Sequence, residues 1–181
     1  MIHFHYNSSC VRQLFCSPVQ SLQGRNQLEV LVFEVGDKRF GVRSGNVREV
    51  VRAVKLSPLP EATGVVEGLL NLRGQILPVV DMRRLFSLAP RKLRYTDYFL
   101  VVATDDRMLA LHVDLAIDLV ELSASDVQPA SAVLPQAGLV DVVARTSEGI
   151  VHVLDVARLA TLEDAGSSVK WTRLDAEGRL A

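Results

Sequence analysis

The chain has 181 residues, 49% of them apolar, with 20 basic and 21 acidic side chains for a net charge of −1. That length suits one domain or two small fused ones, and the mean hydropathy of +0.22 provides for a sizeable core. A near-neutral balance leaves no basic footprint for nucleic acid, and the longest run free of charged residues, Val127 to Val140, is broken by Pro129 and Pro135; a membrane span needs about 20 mostly apolar residues.

Residues 1–26 carry scattered apolar side chains with no sustained period and read as a poorly ordered extension. They lack a basic stretch followed by an apolar one, so no secretory signal is expected. Cys10 and Cys16 are separated by a gap that suits neither a CxxC redox motif nor ordinary zinc spacing. His3 and His5 would complete four ligands, but a mobile tail is the preferred reading, and no metal or other cofactor is expected.

Order is expected from residue 27 to 162. Glu29–Val35 is a β-rich run closed by the turn signal Gly36-Asp37-Lys38, and Arg39–Arg43 alternates as a returning strand. Val47, Val50 and Val51 continue into a third strand. About 69 residues on, the plan recurs: Tyr98–Ala103, a polar turn at Thr104–Arg107, Met108–Val113, then Ile117, Leu119 and Val120. The ends match as well, Ile76–Leu85 with Ile150–Leu159. In each, a strand runs into an aspartate, Asp81 or Asp155, placed to cap a short helix because its carboxylate accepts orphan N–H groups. Two related halves are therefore expected, about 28–95 and 96–162, in a mainly β fold of small antiparallel barrels with short helices. Residues 163–181 turn polar and read as a tail.

Between the first half's strands lies Asn71-Leu72-Arg73-Gly74, a hairpin that offers an arginine to solvent. A guanidinium on a rigid turn makes several directed hydrogen bonds to a carboxylate or to helix C-terminal carbonyls; the plain alternative is a solvated hairpin arginine. Asn71 and Gly74 suit the turn itself. Gly68 reads either as a strand kink or as a place where another backbone comes close. The basic residues Arg83, Arg84, Arg91, Lys92 and Arg94 form a solvated linker or a face for an acidic partner. His112 and Asp114 share a strand face and suggest a surface pair, but no serine or cysteine sits in a nucleophile-elbow context, so no enzyme is expected.

The ordered series Phe33-x-x-Gly36, Phe40-Gly41-Val42, Val47-x-Glu49-Val50, Pro58-x-Pro60 and Gly68-x-x-Asn71-Leu72-Arg73-Gly74-x-Ile76-x-Pro78-Val79-x-Asp81 resembles the CheW-like family. These are the chemotaxis coupling proteins and the matching regulatory domain of CheA histidine kinases. The resemblance covers about residues 28 to 162. It implies two five-stranded SH3-like β-barrels around a shared apolar centre and a non-catalytic adaptor. The implied partners are the cytoplasmic tips of methyl-accepting chemoreceptors and the regulatory domain of a CheA-type histidine kinase. The implied location is the cytoplasm, in receptor arrays at the inner membrane, without membrane insertion. It also implies a receptor-binding set of Val47, Glu49, Gly68, Asn71, Arg73 and Gly74, although an isolated valine such as Val47 more often belongs to a core. Ala110 and Asp141 depart from the pattern, standing where the family commonly has glycine. The competing expectation is a barrel that binds single-stranded nucleic acid or oligosaccharide, which would need basic and aromatic residues interleaved on one face.

Overall fold

Long apolar runs at Val30–Phe33 and Phe99–Val102 make strands buried on both faces, and they organise the architecture. A computed structural model describes residues 27–59, 64–104, 107–133 and 138–161. The expectations for residues 1–26 and 163–181, and for the histidine and cysteine set, lie outside the described residues. The strands in chain order are β1 Gln27–Val35, β2 Lys38–Arg43, β3 Val47–Arg52, β4 Val66–Leu72, β5 Gln75–Asp81 and β6 Tyr98–Ala103. They continue as β7 Met108–Val113, β8 Leu115–Ser123, β9 Val127–Pro129, β10 Val140–Thr146 and β11 Gly149–Leu154. Three short α-helices, α1 Met82–Leu85, α2 Ala130–Val133 and α3 Val156–Thr161, and two single 3-10 turns, Ser44–Asn46 and Ala124–Asp126, lie between and after the strands in the described residues.

Two sheets result. One has the order β8-β1-β2-β11-β10-β9 and the other β3-β6-β7-β5-β4. The expected pair of five-stranded SH3-like barrels is corrected in two respects. Val127–Pro129 pairs with β10 and adds a sixth strand to the first sheet. In both sheets, among the described residues, the first and last strands are not hydrogen-bonded to each other, so the sheets are open rather than closed barrels. Nor do the halves 28–95 and 96–162 map one to one onto the sheets. Each half lends its first hairpin to the other's sheet, where β2 lies parallel to β11 and β7 lies parallel to β5. A tight hairpin cannot make a parallel pair, so each such pair must recruit a strand from elsewhere in the chain.

The repeat extends to individual registers. Val30 pairs with Val120 as Phe99 pairs with Val51, and Gly41 pairs with Val153 as Ala110 pairs with Val79. Ala110 thus stands at the counterpart of Gly41 and is fully buried. Alternation sorts the apolar side chains among three cores. Val30 and Val32 face an interior of the six-stranded sheet with Val142, Val151 and Val153. Phe99 and Val101 face an interior of the five-stranded sheet with Leu70, Leu77 and Val79. Leu31, Phe33, Phe40, Leu100, Leu111, Leu154 and Leu159 meet in a shared core between the sheets. The rings of Phe33, Phe40 and Phe86 stack there, with centroids 5.9 and 4.4 Å apart. Full burial of each such side chain contributes roughly 1.5–3 kcal/mol.

The helices start alike. Asp81 Oδ1 accepts the N–H groups of Arg83 and Arg84 at 2.8 and 3.2 Å, and Asp155 Oδ1 accepts those of Ala157 and Arg158 at 3.0 and 3.3 Å. Each aspartate also pairs with the arginine three residues on, Arg84 or Arg158.

Candidate functional site

The turn between β4 and β5 is two residues long, with Leu72 facing Gln75. Arg73 lies at φ 53° and Gly74 at φ 90°. Positive φ at both central positions is the mark of a type I′ hairpin turn, whose twist matches that of its strands. Asn71 secures it by accepting the Gly74 N–H at 3.0 Å. Glycine occupies φ 90° without steric conflict, whereas a side-chain-bearing residue in the left-handed region costs about 1–2 kcal/mol. An arginine is therefore held at a position where asparagine would fit better.

Its side chain is 74% exposed and reaches Glu49, with Nη2 3.2 Å from Oε2. Glu49 comes from β3, directly after an irregularity in that strand's pairing with β6. Because β3 and β4 are opposite edges of the five-stranded sheet, the contact shows that the sheet curls until its edges face each other. Ile76, across from Asn71 on β5, lies 51% exposed beside the turn.

Glu49, Asn71, Arg73 and Gly74 are thus brought to one surface. Val47 and Gly68 are not. Val47 is 6% exposed and packs in the shared core. Gly68 is buried, and a Cβ there would lie 2.8 Å from the Ser57 carbonyl oxygen. The backbone that comes close is the chain's own, since Ser57 and Leu69 exchange hydrogen bonds of 2.9 Å in both directions.

Toward the other end of β4 and β5 lies a polar network that sequence reasoning misread. His112 does not pair with Asp114 at the surface. It is 4% exposed, with Nδ1 2.8 Å from Glu67 Oε2 and Nε2 3.1 Å from Asp97 Oδ2. Asp97 also binds Arg91 Nη2 at 3.0 Å and the Arg94 N–H at 2.8 Å. Asp114 accepts the Gly36 N–H at 2.7 Å and pairs with Arg83 at 2.5 Å and with Arg91. Arg83 and Arg91 are therefore spoken for internally, and the basic cluster narrows to Arg84, Lys92 and Arg94 at the surface. Burial alone pushes Asp114 up, but Arg83, the Gly36 N–H and Arg91 outweigh it and hold the carboxyl down at about 2. Asp97 is lowered too: burial opposes this, and the Arg94 N–H, Arg91 and His112 overcome it. No spacing in the sequence links Glu67, Asp97 and His112. The one local signal is an acid, Glu67, inside the apolar run Val65–Leu70.

Asp141, the other departure, sits at an irregularity of β10 and pairs with Arg43 Nη2 at 2.5 Å. The aromatic residues Phe33, Phe40 and Phe99 are buried in cores, not displayed on a face. Among the described residues, no group of three or more His, Cys, Asp or Glu side chains could hold a metal ion, and no helix is long and apolar enough to cross a membrane.

A family model described as the CheW-like domain matches residues 29–164. Among curated relatives, "Chemotaxis protein CheW" of Treponema pallidum is 27% identical over 139 residues, 74% of this chain and 82% of that one. "Protein FrzA" of Myxococcus xanthus is 34% identical over 107 residues, 59% of this chain and 67% of that one. The crystal structure of the scaffolding protein TtCheW from Thermoanaerobacter tengcongensis superposes with a TM-score of 0.65 at 24% identity, over 71% of this chain and 88% of that one.

Proposed function

The chain belongs to the CheW-like domain family, and from that premise we propose that it is a non-catalytic adaptor coupling chemoreceptors to a CheA-type histidine kinase. In this reading it works in the cytoplasm, recruited to receptor arrays at the inner membrane. It holds the two partners on different faces of its rigid pair of sheets. Receptor state then biases kinase conformation through a difference in binding free energy, typically about 1–3 kcal/mol.

The receptor-facing surface is the β4–β5 turn with Glu49 beside it. The observation that carries this is Arg73, kept exposed in a left-handed conformation that a smaller residue would occupy at less cost. Its pair with Glu49 is weak, because exposed ion pairs contribute only about 0–1 kcal/mol. A carboxylate or helix C-terminus of a receptor tip can displace it at little loss. The exposed Ile76 supplies an apolar anchor next to that polar tether, the combination a helix laid in a groove requires. Val47 anchors β3 in the shared core and Gly68 lets β4 pack against Ser57, so both act on this face only through the strands that carry it.

Affinity capture from the native cell with tagged protein tests the assignment. Recovery of a chemoreceptor together with a large histidine kinase supports it. Recovery of nucleic acid or glycan instead, with neither protein, would overturn it in favour of a ligand-binding β module.

A further inference from the structure

His112 has a carboxylate on each ring nitrogen, 2.8 Å away at Nδ1 and 3.1 Å at Nε2. A neutral imidazole has one N–H, so one of its nitrogens would turn a lone pair toward an anion. Only the doubly protonated ring donates to both. The repeat supplies a second argument. The counterpart of His112 in the first half is Arg43, and the counterpart of Glu67 is Asp141; those two also pair, at 2.5 Å. Each sheet therefore sets a basic residue on its parallel strand against an acid at the irregularity of β4 or β10. In one sheet the pair is exposed and its base is an arginine. In the other it is buried, and the base can lose its proton.

The groups facing His112 come from four elements. Glu67 belongs to β4, and Asp97, backed by Arg91 and the Arg94 N–H, lies just ahead of β6. The Phe99 ring of β6 meets the imidazole edge-on at 5.7 Å. Asp81 of β5 is its register partner, with a carboxylate engaged by α1 and Arg84. Burial pushes the ring toward its neutral form, but the hydrogen bonds of Glu67 and Asp97 outweigh that and raise His112 above its ordinary value of 6.5.

We propose that Asp97, His112 and Glu67 form a pH-responsive clamp: an imidazolium shared by two carboxylates pins the irregularity of β4, the strand that leads into the Arg73 turn. Loss of one proton releases one carboxylate. Asp97 stays, held by Arg91 and the Arg94 N–H, so the proton leaves Nδ1 and Glu67 is freed. Glu67 is also the more solvent-accessible of the two, 20% exposed against 2%. The clamp is closed below the ordinary histidine range and opens as pH rises through the folded-state value. Its consequence for partner binding rests on the docking role proposed for the Arg73 turn; the clamp itself does not.

Nitrogen-15 NMR of the intact chain tests it without any partner. At about pH 5.5, below the ordinary histidine value, both ring nitrogens of His112 are expected to be protonated. On raising the pH, Nδ1 loses its proton at a midpoint above 6.5, and the backbone amides from Glu67 to Gly74 shift with the same midpoint. Glu67→Gln, which can donate to a neutral ring, is expected to lower that midpoint and uncouple those amides from it. A midpoint at or below 6.5, amides that stay fixed through its titration, or an unchanged midpoint in Glu67→Gln would each overturn the clamp. If the clamp titrates as described while Arg73 variants still bind receptor, the docking assignment alone falls.

Discussion

Arg73 and Glu49 meet at 3.2 Å although Arg73 follows β4 and Glu49 lies in β3, the two opposite edges of the same open sheet. The pair marks where the sheet curls toward itself without closing. With the arginine side chain 74% exposed, solvent screens the attraction, and the contact contributes little to stability. In the proposed reading, the arginine and the backbone strain beneath it serve recognition rather than folding.

Replacing Arg73 with asparagine separates those two roles. Asn-Gly is the preferred pair for a type I′ turn, so Arg73→Asn is expected to hold or raise stability, by up to about 1 kcal/mol, as strain is relieved. Urea unfolding measures this. A loss of more than about 1 kcal/mol would mean that the arginine serves the fold.

Gly68→Ala should act in the opposite way. The added Cβ would sit 2.8 Å from the Ser57 carbonyl oxygen, a backbone atom that cannot swing aside. The two Ser57–Leu69 hydrogen bonds would be strained or broken, and a destabilisation of about 1–3 kcal/mol is expected. Unfolding at the wild-type midpoint would show that the close approach is relaxed in solution.

Asp114 ties the Gly36 turn to Arg83 and Arg91, and removing its charge leaves Arg83 with the Ala89 carbonyl and Arg91 with Asp97 alone. Asp114→Asn is expected to cost about 2–4 kcal/mol at pH 7 by chemical denaturation. Because its folded-state value is depressed to about 2, its stabilisation is complete above the ordinary carboxyl range and is lost as pH falls through about 2. The variant's stability should accordingly fall less steeply between about pH 4 and 2. An unchanged acid limb would argue against this network.

The strands were legible because apolar periodicity and turn residues are local. Val30–Phe33 and Phe99–Val102 announce themselves, and the repeat relating Tyr98–His112 to Glu29–Arg43 can be read directly. The exchange of hairpins could not be read, since which strand pairs with which is decided by long-range packing and the same alternation serves either sheet. The site divides in the same way. Asn71, Arg73 and Gly74 form a turn by themselves, so sequence places them together. Glu49 joins them only because the sheet curls, and Val47 turns inward because the register of β3 sends it to the shared core. His112 and Asp114 look paired at a spacing of two, yet each found a stronger partner from a distant segment, Asp97 and Glu67 for the first and Arg83 and Arg91 for the second.

The most direct measurement mixes purified Arg73→Glu protein with a chemoreceptor cytoplasmic fragment and a CheA-type kinase and follows both interactions separately. With the fold verified by its unfolding midpoint, the variant is expected to lose receptor binding by at least about tenfold while kinase binding is unchanged. A folded variant that still joined receptor and kinase as the parent does would contradict the assignment of this turn as the receptor face.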